Sequence, residues 1–94
     1  MNYDDWSRLS DSEKAAVQAG WNAYAPGYWH ELAQEAAERF RAEFGQTPHV
    51  VNVGHGLYHG GQLIIGVWTD LTYPHKAALP EQYAGFAVRQ FCAA

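Results

Sequence analysis

The first half of the chain carries apolar side chains at three- and four-residue spacing, which is the period of an amphipathic helix. From Tyr28 to Phe44 charged side chains fall mostly between the apolar positions, which are Trp29, Leu32, Ala33, Ala36, Phe40 and Phe44. This spacing predicts a helix over 28–44 whose apolar stripe faces the core. Gly45 is typical of the residue after a helix end.

An earlier helix is indicated by Ser10-Asp11-Ser12-Glu13. In such a capping box the serine hydroxyl accepts from the backbone of the glutamate, whose carboxylate accepts from the serine backbone. We expect this helix to run over 10–25, where Pro26-Gly27 interrupts it. Alternatively, 10–25 and 28–44 form one helix kinked at Pro26. Residues 1–9 are predicted to be a flexible arm.

After Pro48 the pattern changes to β-branched and glycine-rich sequence. It predicts strands over 49–58 and 62–69, joined by a tight turn at His59-Gly60-Gly61. A third strand is expected over 86–91, at an edge or paired with one hairpin arm, after a long connection over 70–85. The fold class is therefore α+β: two N-terminal helices, or one kinked helix, on a three-stranded, mostly antiparallel sheet in a single domain.

The hairpin predicts which side chains share a face. With Gly60 and Gly61 in the turn, Gly56 lies opposite Ile65, and the helix over 28–44 is expected to cover the face that carries the glycines of the first strand. The other face then holds His55, Leu57 and Trp68. Its cover would be the capped helix, a second copy of the chain or a partner protein.

Charge is uneven along the 94 residues, whose net charge is −4. Up to Phe44 there are eight acidic and four basic side chains, and the rest of the chain is balanced. This balance opposes direct binding to nucleic-acid phosphates and favours a protein partner with a basic surface. One cysteine, no apolar run of membrane length and no basic, apolar leader predict a cytoplasmic protein that is not in a membrane.

Aromatic residues exceed what a small core readily encloses, and such residues dominate the energetic centres of protein interfaces. We therefore predict a non-enzymatic binding domain of the inhibitor, antagonist or antitoxin type. In size and acidity it is similar to phage-encoded antagonists of nucleic-acid-guided defence complexes. The predicted partner-binding residues are Trp6, Tyr24, Asp4, Asp5, Asp11, Glu13, Trp68, His55 and Leu57.

No catalytic residue, metal site or cofactor is predicted. One alternative is a small metal-binding or hydrolytic module built on His55, His59 and Cys92. Against it, four residues along a strand separate two rings by about 13 Å, too far for shared ligation unless the turn bends sharply. A second alternative is a homodimer formed through Trp68.

Part of the chain has a familiar pattern, formed by Val51-Asn52-Val53-Gly54-His55-Gly56, a glycine turn, Leu63-Ile64-Ile65-Gly66-Val67, and the run from Leu79 to Arg89. Over 40–89 it resembles small αβ modules of bacterial origin that occur alone or beside trypsin-like peptidase domains. The resemblance implies a fold and carries over no catalytic residue.

Overall fold

A computed structural model describes residues 1–20, 27–58 and 62–93. The described elements are helices α1 (Tyr3–Ser7), α2 (Asp11–Ala19) and α3 (Trp29–Phe44), and strands β1 (Val50–Tyr58), β2 (Gln62–Thr69), β3 (Gln82–Tyr83) and β4 (Phe86–Cys92). The α+β class is confirmed. The sheet has four strands in the order β1-β2-β4-β3, one more than predicted.

The predicted signals at the ends of two helices are confirmed. Both hydrogen bonds of the capping box form, since Glu13 N donates to Ser10 Oγ at 3.1 Å and Ser10 N donates to Glu13 Oε1 at 3.0 Å. Gly45 caps α3. However, α2 ends at Ala19, with Gly20 as its cap, so it is shorter than predicted and separate from α3. The rest of the predicted helix, residues 21–25, lies outside the described residues together with Pro26.

The segment expected to be a flexible arm contains α1, and its Trp6 is fully buried. The Trp6 ring stacks on Phe86 with centroids 5.3 Å apart. From α2, the Gln18 side-chain amide donates to Gly85 O at 2.6 Å. Gly85 has φ +83°, a conformation that favours glycine, and it lies in the turn between β3 and β4. Both short helices are thus anchored near this turn.

All three helices lie on one face of the sheet. The buried cluster joins the apolar stripe of α3 and Trp6 to Val53, Leu63, Ile65, Val67 and Phe86, and Val17 of α2 packs against it. Of the three covers predicted for the second face, the capped helix α2 is therefore wrong. We call the side of the sheet that carries the helices the helical layer and the other side the open face.

The hairpin pairs one residue away from the predicted register. Gly56 lies opposite Ile64, and His55 lies opposite Ile65. The difference comes from the length of the connection. The prediction places two residues, Gly60 and Gly61, in the turn, whereas the pairing of Tyr58 with Gln62 leaves three residues between the strands. A shift of one residue exchanges the two faces of a strand. Gly54 and Gly56 consequently belong to the open face, and His55 and Leu57 belong to the helical layer.

The predicted third strand is present as β4 and pairs with an arm of the hairpin, which is one of the two predicted arrangements, but two details differ from the prediction. β4 pairs with β2 in parallel, so the sheet is mixed, and β3 is a two-residue strand within the predicted connection. The rest of that connection is tied to β4 by the Gln90 side chain, which accepts from Ala77 N at 2.8 Å and donates to Ala77 O at 3.0 Å. A parallel pair needs a crossover, which the stretch between Thr69 and Phe86 supplies.

Candidate protein-interaction surface

An aromatic cluster occupies the open face where β2 and β4 run side by side. Trp68 on β2 pairs in register with Phe91 on β4. Their ring centroids are 5.5 Å apart and the ring planes are inclined by 33°. Trp68 keeps 36% of its accessible surface, and Phe91 is half-buried. We call Trp68, Phe91, Gly54, Gly66 and Arg89 the Trp68 surface.

Glycine forms the floor of this surface. The Trp68 indole leans over its own strand, and a Cβ built on Gly66 would lie 3.1 Å from two ring carbons. A Cβ on Gly54 of β1 would lie 3.4 Å from the same ring. Since Gly54 and Gly66 face each other across the strand pair, two adjacent positions without side chains make room for one flat ring. The orientation of Trp68 therefore depends on glycine beneath it.

The described part of the chain, residues 1–20, 27–58 and 62–93, places no helix on the Trp68 surface. Its one charged member is Arg89, which neighbours Gly66 across the parallel pair. At the far end of the same face Ile64 is buried.

The predicted acidic residues lie on the other side of the sheet. Asp4 and Asp5 are exposed in the first turn of α1, and Asp11 and Glu13 are exposed in the first turn of α2. Two hydrogen bonds with Ser10 lower the pKa of Glu13, so this carboxylate already serves the helix cap. These acidic side chains of the first half of the sequence therefore lie on the helical layer, on the opposite side of the sheet from the Trp68 surface.

Trp6, one of the predicted anchors, does not contribute to an exposed surface. Trp6 was predicted to contact a partner, but its ring is fully buried and its Nε1 donates to Ala84 O at 2.7 Å. The indole is part of the core because an apolar ring whose N–H finds a carbonyl acceptor gains from burial. Tyr24 lies outside the described residues.

His55 and Leu57 were predicted to share a face with Trp68 and do not, because of the register. His55 lies near the start of α3: its ring centroid is 6.3 Å from that of His30 and 6.4 Å from that of Trp29. Burial is the main cause that lowers the pKa of His55, the nearby His30 lowers it further, and Glu38 opposes them. Leu57 is about half exposed at the outer edge of β1.

The alternative built on His55, His59 and Cys92 gains no support from the described geometry. His55 faces Ile65, Ile65 pairs with Val88, and Cys92 lies four residues further along β4. Two strand spacings and four residues separate the two backbones by about 16 Å. His59 lies outside the described residues, and among those described no group of three His, Cys, Asp or Glu side chains is placed to hold a metal ion.

Sequence reasoning missed Phe91 as a surface residue. The sequence does contain a signal for the cluster: two glycines, at 54 and 66, fall opposite each other once the register is known, and Trp68 follows two residues later on the same face. The neighbour on β4 carries no such local signal, because parallel pairing joins segments that are distant in sequence.

Comparisons with known proteins give no relative for this chain. No family model, no curated protein and no solved structure matches it. Among the described residues, no helix is long and apolar enough to cross a bilayer.

Proposed function

We propose that this chain is a non-enzymatic protein-binding domain that engages its partner through the Trp68 surface. The observation that carries the proposal is the seating of Trp68 on Gly66 and Gly54, with Phe91 beside it. Tryptophan is enriched among the residues that dominate binding energy at interfaces. A ring that is already held in one orientation loses little conformational freedom when a partner covers it.

This arrangement suits an inhibitor, antagonist or antitoxin, which acts by occupying the surface of another protein. Interfaces of this kind combine an aromatic centre with a polar rim. The exposed Arg89 neighbours Gly66 on the adjacent strand. The phage-encoded antagonists that the chain is similar to in size and acidity belong to this class.

The acidic helical layer has a separate role in the proposal. The net charge of −4 is carried by the first 44 residues, and exposed carboxylates lie on all three helices. A field of this sign attracts a basic partner and speeds its approach, while the contact itself is made by the Trp68 surface. Association should therefore slow as salt concentration rises.

The test is a comparison of variants in affinity capture and in direct binding to any protein that is retained. Trp68→Ala and Phe91→Ala are each compared with Tyr73→Ala, which removes a 93% exposed aromatic ring outside the surface. We expect the first two to weaken binding at least tenfold and Tyr73→Ala to leave it unchanged, with all variants folded by circular dichroism. Equal retention by Trp68→Ala and the unmodified protein would refute the proposal.

Light scattering distinguishes the homodimer alternative. If the unmodified chain has twice the monomer mass and Trp68→Ala returns it to the monomer, the surface belongs to a second copy and the proposed role is wrong. A monomer mass together with variant-sensitive capture supports it.

A further inference from the structure

The outer edge of β1 is closed by side chains over its first half. Val53 O accepts a hydrogen bond from Arg41 Nη2 at 2.5 Å, and Val53 N donates to Asn52 Oδ1 at 2.9 Å. Both backbone groups of Val53 are thus bonded to side chains instead of to β2. Because the N–H and C=O of one residue in an antiparallel strand point to the same side, Val53 faces away from the sheet.

The backbone direction of the remaining residues follows by alternation. Gly54 and Gly56 direct their N–H and C=O groups towards β2, whereas His55 and Leu57 direct theirs outwards. Nothing in the described structure, residues 1–20, 27–58 and 62–93, bonds to these outward groups. As far as the described residues show, the second half of the edge is therefore open.

Proteins usually protect such an edge with a charged residue, a proline or a cover. β1 has the sequence VVNVGHGLY, which contains no proline, lysine, arginine or carboxylate. Arg41 and Asn52 protect the edge at Val53 only. This contrast within one strand marks the stretch from His55 to Leu57 as the accessible part.

The flanks of the open stretch suit an extended chain. A Cβ at Gly56 would meet nothing within 4 Å, so one flank is flat. The other flank is formed by α3, whose Arg41 bonds to Val53 O and whose His30 ring lies 6.3 Å from that of His55. Glu38 is exposed on α3 between His30 and Arg41. The Leu57 side chain, about half exposed, offers apolar contact at the end.

We propose that the edge of β1 at His55 and Leu57 binds an extended, basic segment of a partner protein, which pairs with it as a fifth strand. Backbone hydrogen bonds supply the binding in this mode, and the flanking side chains supply selectivity. A basic side chain of the segment pairs with Glu38. The proposal concerns a surface other than the Trp68 surface and does not require it.

Charge favours such a segment over a second copy of the chain. Two copies joined edge to edge about a twofold axis would bring one α3 towards the other, and α3 carries four carboxylates against two arginines, of which Arg41 lies at this edge. Like charges at such a junction oppose pairing, whereas a lysine or arginine would relieve them.

The experiment uses two labelled eight-residue peptides of alternating valine with either lysine or glutamate, titrated into the full chain. We expect the lysine peptide to bind at least tenfold more tightly than the glutamate peptide. Leu57→Pro removes one outward N–H without removing a bond to β2, and should weaken lysine-peptide binding about tenfold. Glu38→Gln should weaken it about threefold, while Asp4→Asn, the same charge change on α1, and Trp68→Ala should not alter it.

Amide hydrogen exchange of the unmodified chain tests the same site without any substitution. The lysine peptide should slow exchange at His55 and Leu57 and leave Gly54 and Gly56, already bonded to β2, unchanged. Absence of binding at millimolar peptide, unchanged binding by a folded Leu57→Pro, or protection at other sites only would overturn the proposal. So would self-association that Leu57→Pro abolishes, since the edge would then belong to a second copy.

Discussion

The indole N–H of Trp6 donates a 2.7 Å hydrogen bond to the carbonyl oxygen of Ala84, 78 residues further along the chain. The contact ties α1 to the turn between β3 and β4 and places the ring on Phe86. A residue that resembles an interface anchor in the sequence thus holds the two ends of the domain together.

Replacing Trp6 with phenylalanine tests this structural role. The variant keeps an apolar ring but removes the donor, so Ala84 O loses its partner and a gap opens beside Phe86. We expect the free energy of unfolding to fall by roughly 2–3 kcal/mol. Urea denaturation measures the change, with Trp68→Phe as the matched control. The control ring is partly exposed, and its loss should be under about 1 kcal/mol. Equal losses at the two positions would contradict the assignment.

Substitutions at two glycines of the open face test whether the Trp68 ring depends on its floor. Gly66→Ala would place a Cβ 3.1 Å from the indole, whereas Gly56→Ala meets nothing within 4 Å. Overpacking of the first kind costs about 1–3 kcal/mol, so Gly66→Ala should lower the free energy of unfolding by about that amount relative to Gly56→Ala. Because the indole must move, near-ultraviolet circular dichroism should change only in Gly66→Ala. If both variants give the same spectrum, the ring does not rest on Gly66.

The parts of the fold that sequence could predict are those whose causes are local. The capping box at Ser10 and Glu13 and the stripe of α3 depend on residues within one or two turns of each other, and both were predicted correctly. The limits of β2 follow similarly from a continuous apolar run.

The errors concern strand pairing and contacts between residues that are distant in sequence, which a local pattern of residues does not determine. One extra residue in the connection after Tyr58 shifts the register, and that shift moves His55 and Leu57 to the opposite face from Trp68. The parallel pairing of β4, which brings Phe91 to Trp68, depends on a crossover whose path no short segment encodes. Trp6 was misassigned because its partners, Ala84 and Phe86, are at the other end of the chain.

Alkaline titration tests the contact of β3 with α3. Tyr83 Oη donates to Glu43 Oε2 at 2.9 Å, and burial, followed by this hydrogen bond, raises the pKa of Tyr83 to about 12. The ordinary value is 10.0. An acid whose pKa is raised by folding stabilises the fold below its unfolded pKa, and that contribution is lost as pH climbs from 10 towards 12. The free energy of unfolding should therefore fall over this range, and it should fall less steeply in Tyr83→Phe.

Absorbance at the tyrosinate band measures the titration of Tyr83 directly. A Tyr83 contribution centred at the ordinary pKa of 10.0 would contradict the contact with Glu43.

Acid titration tests the surroundings of His55 at the start of α3. Burial, then His30, lowers the pKa of this ring below its ordinary value of 6.5. The folded chain therefore favours neutral His55, and the unfolded chain binds more protons as pH falls below 6.5. Its contribution to stability is present above that pH and is lost as pH falls towards the folded pKa.

His55→Phe keeps a ring of similar shape without a titrating group, so its free energy of unfolding should decline less between pH 7 and 5 than that of the unmodified chain. Carboxylates contribute to both curves, and His75→Phe, the same substitution at an exposed histidine, is the matched control. A His55→Phe curve parallel to the control would show that the ring is as well hydrated in the folded chain as in the unfolded one, and that α3 does not shield this part of β1.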